Sequence, residues 1–248
     1  MNNLAQHIKK ANRDFYDIVG SFYEVIDGRR SERLISYVEE QLKTISRDVG
    51  AYSIIDLGCG SGFVSRIARD YFKQRFALDI SHRIMSAIDD SILFKIVADT
   101  DTIPIKDDML QCVVTFAVLH HCYSYEKILS EIYRILKTGG IYYSDHDMDS
   151  CFFNRFRPFL KIYRKINNAG KHYLARFREL TEEMYNLSEF HQNGIPSETI
   201  ETVLRGVGFK NVRVEYHWFG LSQITDTIFG KKIFRRGFAP LVRITAIK

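Results

Sequence analysis

The residues best suited to bind a ligand lie at 53–62, where a short apolar run ends in Asp56 and is followed by Gly58, Gly60 and Gly62. Glycine at every second position predicts a tight turn whose backbone approaches a ligand closely. The apolar run is typical of a buried strand, and the residues after the turn have the spacing of an amphipathic helix. Because the first N–H groups of a helix have no partner within it, they favour an anionic group above the turn.

A second acid, Asp79, ends the next apolar run. A carboxylate in that position suits a pair of ribose hydroxyls. The glycines are spaced G-x-G-x-G, whereas dinucleotide-binding proteins have G-x-G-x-x-G. Asp56 before the turn also suits an ammonium group, which a pyrophosphate lacks. A ligand with an amine, a carboxylate and a ribose is S-adenosylmethionine; the alternatives are a glycine-rich turn that binds no ligand and a nucleotide-binding fold of another type.

The run Asp56-Leu57-Gly58-Cys59-Gly60-Ser61-Gly62 resembles the first motif of class I S-adenosylmethionine-dependent methyltransferases. The resemblance covers roughly residues 50–147 and includes Leu119-His120-His121, which is similar to a motif of the small-molecule and quinone-biosynthesis branch. It implies that Asp99 receives the adenine amino group and that Phe116 contacts the amino-acid end of the cofactor. The residues that it implies for cofactor binding are Asp56, Gly58, Cys59, Gly60, Asp79, Ile80, Asp99, Thr100 and Phe116.

Two tyrosines near the N-terminus are further candidates for the cofactor site. Tyr16 and Tyr23 lie about two turns apart and share one face of a predicted helix. In the methyltransferases that this chain resembles, an N-terminal helical segment lies over the cofactor, and an aromatic residue meets its methionine end. The alternative is that both tyrosines only pack. The predicted helix includes Val25 and Ile26 and ends at Gly28.

Candidate catalytic residues follow the fourth and fifth predicted strands, at the edge where the family places the acceptor. Methyl transfer from a sulfonium depends mainly on in-line positioning, and a base is needed only if the acceptor must lose a proton. Histidine titrates near physiological pH. We therefore expect His146 to be the base with Asp145 as its partner, and His121 to be a further candidate. The alternative for each histidine is a structural polar residue.

Three acidic residues at the same edge are candidate metal ligands. Asp145, Asp147 and Asp149 alternate along an extended segment and are expected to share one face, as Mg²⁺ ligands would require. The sequence offers no further identifiable ligands, so no metal is predicted.

Alternating strand and helix patterns predict an α/β fold with a Rossmann-like, seven-stranded, mostly parallel sheet and helices on both faces. We divide the chain into an N-terminal helical segment at 1–48, a cofactor-binding core at 49–147, a helical cap before the sixth strand at 148–196, and the rest of the core at 197–248. Strands are predicted at about 52–57, 75–79, 93–97, 112–116, 141–144, 210–217 and 241–247.

The predicted cap carries most of the positive charge of this chain, whose net charge is +5. Residues 151–180 contain eight Lys and Arg against Glu179 alone. One interpretation is a cap whose apolar stripe packs on the core and closes the acceptor pocket. The other is a surface for anionic lipid or, less favoured, nucleic acid. The stripe consists of Phe152, Phe156, Phe159, Leu160, Tyr163 and Ile166.

The cysteines and the pattern of apolar residues indicate the compartment in which the protein is expected. The 248 residues include four cysteines without C-x-x-C spacing, which indicates a reducing compartment and no zinc site. The sequence shows neither a signal-peptide pattern nor a membrane span, so a cytoplasmic location is expected.

The leading hypothesis is a methyltransferase for a small, hydrophobic or aromatic acceptor. One alternative is a membrane-associated lipid or quinone methyltransferase. Another, from a different class, is a catalytically silent cofactor-binding interaction protein. Nucleic acid is a disfavoured acceptor, because Phe116-Ala117-Val118-Leu119 stands where base-methylating enzymes have an Asn/Asp-Pro-Pro-Tyr signature.

Overall fold

A seven-stranded sheet organises the computed structural model, which describes residues 3–23, 31–166 and 169–248. The strand order is β3-β2-β1-β4-β5-β7-β6, with all neighbours parallel except those of β7. The predicted Rossmann-like, mostly parallel sheet is therefore confirmed. The strands are β1 Ser53–Leu57, β2 Gln74–Asp79, β3 Phe94–Val97, β4 Leu110–Phe116, β5 Leu136–Met148, β6 Lys210–His217 and β7 Leu241–Ile247.

Helices cover both faces of the sheet. Serine side chains cap several of them: Ser31, Ser81 and Ser124 each accept a hydrogen bond from a backbone N–H of the first turn. The α-helices are α1 Asn3–Val19, α2 Glu32–Val49, α3 Phe63–Ile67, α4 His82–Met85, α5 Tyr125–Ile135, α6 Ser150–Arg155, α7 Arg157–Ile166, α8 Ala169–Arg176, α9 Glu182–Ser188, α10 Ser197–Val207 and α11 Gln223–Phe229. The predicted positions Val25, Ile26 and Gly28 lie outside the described residues.

The apolar periodicity decides which helix covers which face. Leu129 of α5 and Ile200 of α10 belong to one core cluster, and Tyr37 and Leu42 of α2 belong to the cluster on the opposite face. The strand order reverses between β1 and β4, and in open α/β sheets this switch point creates a crevice at the carboxyl ends of the strands.

Strand β5 is longer than predicted and contains a bulge near its carboxyl end. Its pairing with β7 shifts between Ser144 and Asp147, and His146 there has a φ of 70°. The extra residue reverses the alternation of side chains, since a bulge sets two residues against one. The expectation that Asp145 and Asp147 share a face of the strand is therefore wrong. Asp145 accepts a hydrogen bond from the Tyr143 hydroxyl, whereas Asp147, on the other face, accepts one from the backbone N–H of His120.

Two local features near the C-terminal half of the chain come from the structure alone. Pro196 is the residue before α10, and the Ser197 hydroxyl donates to Asp149 at 2.7 Å. Helix α11 has no counterpart among the predicted elements. The cap stripe is split, because one helix ends at Arg155 and the next begins at Arg157, which changes the helical phase. No helix within the described ranges is long and apolar enough to cross a membrane.

Candidate functional site

A cavity of about 200 Å³ lies at the carboxyl ends of β1, β2 and β4, under the N-terminal helix α1. Most of the predicted site residues line it, and Asp56 and Asp145 lie behind its wall. The predicted residues that line the cavity are Tyr16, Tyr23, Gly58, Cys59, Gly60, Asp79, Ile80, Asp99, Thr100, Phe116, His121 and His146.

The glycine turn and Asp79 form one wall of this cavity. Gly58 has a φ of 67°, and a Cβ there would lie 2.7 Å from Val118, so glycine is required for two separate reasons. The Asp79 carboxylate accepts the Gly60 N–H and the Ser81 N–H, both at 2.9 Å. Burial raises the pKa of Asp79 even though these amides partly offset it. A carboxylate held in this way is positioned to accept hydrogen bonds from the hydroxyl groups of a ligand in the cavity.

Asp56 has a different role from the predicted one. Its side chain is buried below the turn and accepts the Ser65 N–H at 3.0 Å and the Ser65 hydroxyl at 2.7 Å. Burial raises its pKa to about 6, although the Ser65 bonds lower it. Because strand alternation directs this side chain away from the cavity, Asp56 stabilises the turn between β1 and α3, and we withdraw its predicted pairing with a ligand ammonium.

At the opposite rim, Asp99 forms an ion pair that the sequence did not reveal. Lys9 of α1 contacts Asp99 and also Asp101, with 2.5 Å between Lys9 Nζ and Asp101 Oδ2. Lys9 and Thr100 both line the cavity. The N-terminal helix is thus joined to the loop after β3, and an adenine amino group at Asp99 would share that carboxylate with Lys9.

Tyr16 and His121 link the N-terminal helix to the cap. The Tyr16 hydroxyl lies 3.1 Å from His121 Nε2, and His121 Nδ1 lies 2.5 Å from the carbonyl oxygen of Ser188 in α9. A carbonyl only accepts, so Nδ1 carries the proton and Tyr16 donates to Nε2. Tyr23 packs edge-on against Tyr16, with 5.6 Å between ring centroids. Since both nitrogens of His121 are occupied, the geometry argues against a catalytic base there.

The His121 link has a testable pH dependence. Burial, and then the neighbouring His120, lower the pKa of His121 from 6.5 to about 4. The unfolded chain therefore binds a proton first as the pH falls, and the free energy of unfolding should decrease between these values, by at most about 1.4 kcal/mol per pH unit. His121→Gln lacks this contribution, so urea unfolding should show its deficit relative to wild type shrinking with acidification. His82→Gln, at an exposed position of α4, is the control, and a deficit that stays constant would contradict the assignment.

Asp145 is the most heavily hydrogen-bonded carboxylate at the acceptor side. It is fully buried and accepts the hydroxyls of Tyr37 at 2.9 Å and Tyr143 at 2.6 Å. Its other oxygen accepts the N–H of His146 at 2.7 Å, His146 Nδ1 at 3.0 Å and His217 Nε2 at 2.8 Å. Burial alone would raise the pKa of Asp145, but His217 and His146 hold it well below its usual range. Sequence analysis missed His217 as a second partner.

The bond to Asp145 determines which nitrogen of His146 carries the proton. Because Nδ1 donates to the carboxylate, Nε2 of the neutral ring has its lone pair available, and it has no hydrogen-bond partner among the described residues. The ring lines the cavity and stacks on Phe116, with 4.3 Å between ring centroids. The Nε2 atom itself is buried in the wall, and the role of His146 as a base stays a prediction.

Gly220 closes the site around His146. A Cβ at Gly220 would lie 2.3 Å from His146 Nε2 and 2.7 Å from Leu34, so a larger residue does not fit there. Leu34, Leu221 and Leu241 complete this part of the wall. The wall of the cavity directly beside His146 is therefore apolar.

Part of the chain is similar in sequence to known methyltransferases. Residues 55–144 match the family model described as a methyltransferase domain. A malonyl-[acyl-carrier protein] O-methyltransferase of Buchnera aphidicola is 30% identical over 120 residues, which are 47% of either chain. A protein of Arabidopsis thaliana named as an uncharacterized chloroplastic methyltransferase is 28% identical over 158 residues, 58% of this chain and 44% of that protein. The chain thus spans about half the length of the curated relatives it matches.

Solved structures show the same fold over nearly the whole chain. A SAM-dependent methyltransferase from Thermotoga maritima superposes with a TM-score of 0.60 at 16% identity, covering 99% of this chain and 100% of that one. The sheet order and the superposition show the fold of the class I S-adenosylmethionine-dependent methyltransferases, enzymes whose cofactor is S-adenosylmethionine, and residues 55–144 match a methyltransferase domain.

Proposed function

We propose that the protein transfers the methyl group of S-adenosylmethionine to a small acceptor with an apolar or aromatic body. The observation that carries the proposal is the two-sided cavity, with Asp79 and the glycine turn on one wall and His146 among apolar residues on the other. The Asp79 carboxylate suits ribose hydroxyls, and the glycines admit a ligand close to the backbone.

S-adenosylmethionine, when bound, supplies an activated methyl group on a positively charged sulfur. The chain's own contribution is to orient the acceptor in line with that group and to exclude water, and such positioning is worth roughly 7–11 kcal/mol in favourable cases. Leu34, Leu221 and Leu241, in the wall beside His146, provide an apolar surface for the acceptor. His146 Nε2 provides a place for a proton within the same wall.

This arrangement favours an acceptor that loses a proton on methylation, such as a hydroxyl, an amine or an acidic carbon. A carboxylate acceptor, as the name of the Buchnera relative implies, is already ionised and needs no base. The histidine with an available nitrogen therefore argues for a different acceptor class in this chain.

The cofactor site is tested by Asp79→Asn. A ligand at a hundred times its Kd stabilises a fold by about 2.7 kcal/mol, so S-adenosylhomocysteine should raise the melting temperature of the wild type clearly. Loss of charged hydrogen bonds to two hydroxyls is expected to weaken binding about a hundredfold or more. At the same ligand concentration the stabilisation should then fall to about 0.4 kcal/mol.

Asp89→Asn, which removes an exposed carboxylate, is the matched control and should retain the full shift. The proposal is contradicted if the wild type shows no shift, or if both variants respond like the wild type.

The acceptor is identified by supplying methyl-labelled S-adenosylmethionine to a host extract and analysing what becomes labelled. We expect a low-molecular-mass apolar product. A protein that binds S-adenosylhomocysteine but labels nothing would instead be the silent binding protein of the alternative hypothesis.

A further inference from the structure

Helix α7 turns large apolar side chains toward solvent. Phe159 is 74% exposed, and Ile162 and Tyr163 are each 61% exposed. The expected packing of the cap stripe on the core holds for Phe152, which is buried, but is wrong for Phe159 and Tyr163. The change of helix between α6 and α7 separates the two groups, since it alters the direction in which later residues point.

The exposed side chains form a single face of α7. At about 100° per residue, positions 159, 162 and 163 fall within an arc of roughly 100°. Arg157, Lys161 and Lys165 fall on the opposite arc, and all three are exposed. An apolar face opposite a Lys/Arg face is the pattern of helices that lie in a membrane interface.

The segment that carries this face is strongly cationic. Residues 150–178 include eight Lys and Arg and no Asp or Glu. A second copy of the chain is a poor occupant, because it would bring cations against cations. Anionic lipid headgroups complement this positive charge, and the acyl chains of the same lipids contact the apolar face.

The orientation of α7 is held by specific contacts. The Arg164 guanidinium donates to the Gln192 carbonyl at 2.5 Å and to the Asn193 side chain at 3.1 Å. It also lies over the Phe153 ring at 4.7 Å from the centroid. Arg164 thus joins α7 to the segment before α10, and the apolar arc faces away from that contact.

We propose that α7 docks the protein on anionic membranes, with Phe159, Ile162 and Tyr163 inserted at the boundary of headgroups and acyl chains. Arg157, Lys161 and Lys165 extend from the helix to the lipid phosphates, as long basic side chains do at interfaces. This inference does not depend on the proposed methyl transfer.

The test is sedimentation of the full chain with vesicles of phosphatidylcholine, with or without phosphatidylglycerol. Wild type should bind the anionic vesicles, and binding should fall with added salt. Phe159→Ser/Ile162→Ser/Tyr163→Ser should abolish it. Arg157→Gln/Lys161→Gln/Lys165→Gln should weaken it, about fivefold for each cation removed.

Two matched control variants test whether exposed apolar side chains or cations elsewhere on the protein would give the same vesicle binding. Ile224→Ser/Ile228→Ser removes apolar side chains of α11 that are 72% and 62% exposed, and Lys43→Gln/Lys73→Gln/Lys106→Gln removes three exposed cations elsewhere. Both should bind vesicles like the wild type. S-adenosylhomocysteine binding by each variant verifies the fold independently of the membrane.

The proposal is overturned if wild type ignores anionic vesicles, if the α7 variants bind as well as wild type, or if the controls lose binding equally. Salt-sensitive binding to RNA without vesicle binding would overturn it in favour of nucleic acid. Self-association in light scattering that the apolar α7 variant abolishes, again without vesicle binding, would assign the face to a second copy.

Discussion

Asp145→Ala is expected to lower the free energy of unfolding by about 3–5 kcal/mol. The substitution removes a fully buried charge that accepts five hydrogen bonds, from Tyr37, Tyr143, His217 and two groups of His146. Those donors would be left in the protein interior, and each unsatisfied group costs about 1–3 kcal/mol. Urea unfolding, with the slope compared between proteins, measures the loss.

Two milder variants test the reason for this loss. Asp145→Asn should lower the free energy of unfolding by an intermediate amount. The hydroxyls of Tyr37 and Tyr143 can rotate, donate to other groups and accept hydrogen bonds from the new amide. Tyr143→Phe removes a single donor and should cost about 1.5–3 kcal/mol. A loss below about 1 kcal/mol for Asp145→Ala would show that the cluster is not a structural centre of the acceptor side.

His146→Asn is expected to reduce kcat about 10²–10⁴-fold, the usual range for loss of a general base. Asparagine is chosen because it tolerates the positive φ found at this position, so the backbone bulge should persist. Affinity for S-adenosylhomocysteine should not change, since His146 lies on the acceptor side of the cavity. The measurement is steady-state turnover of the acceptor that labelling identifies.

A matched variant shows whether the loss of turnover is specific to His146. His172→Asn, on the exposed side of α8, is the control. Unchanged turnover in His146→Asn would mean that the acceptor is methylated without proton transfer to this residue, as a carboxylate would be.

The cofactor side was largely predictable because its signals are local. The glycine spacing at 58 and 60 and the acid at 79 come from adjacent strand–turn units, and a parallel sheet brings the ends of such strands together. Asp56 shows the limit of that reasoning. Its place at the end of an apolar run predicted a contact with the ligand, but the pleat of β1 directs its side chain toward Ser65 and away from the cavity.

The acceptor side was only partly predictable because its contacts join distant parts of the chain. His146 and Asp145 were identified from their place after an apolar run. His217 meets Asp145 because β7 lies between β5 and β6 and sets their register, and Lys9 reaches Asp99 because α1 folds over the cavity. No periodicity within a window of sequence reports such pairings.

By itself, the sequence determined the order of the strands, the glycine turn with Asp79 and the cofactor that suits them, since each follows from spacing within one unit. Only the tertiary structure decided which nitrogen of His146 bonds to Asp145, that both nitrogens of His121 are occupied, and that α7 turns its apolar face outward. These depend on a β-bulge, on a carbonyl from α9 and on a change of helix phase. Each is set by packing between elements far apart in sequence or by a shift of one residue, to which sequence patterns are insensitive.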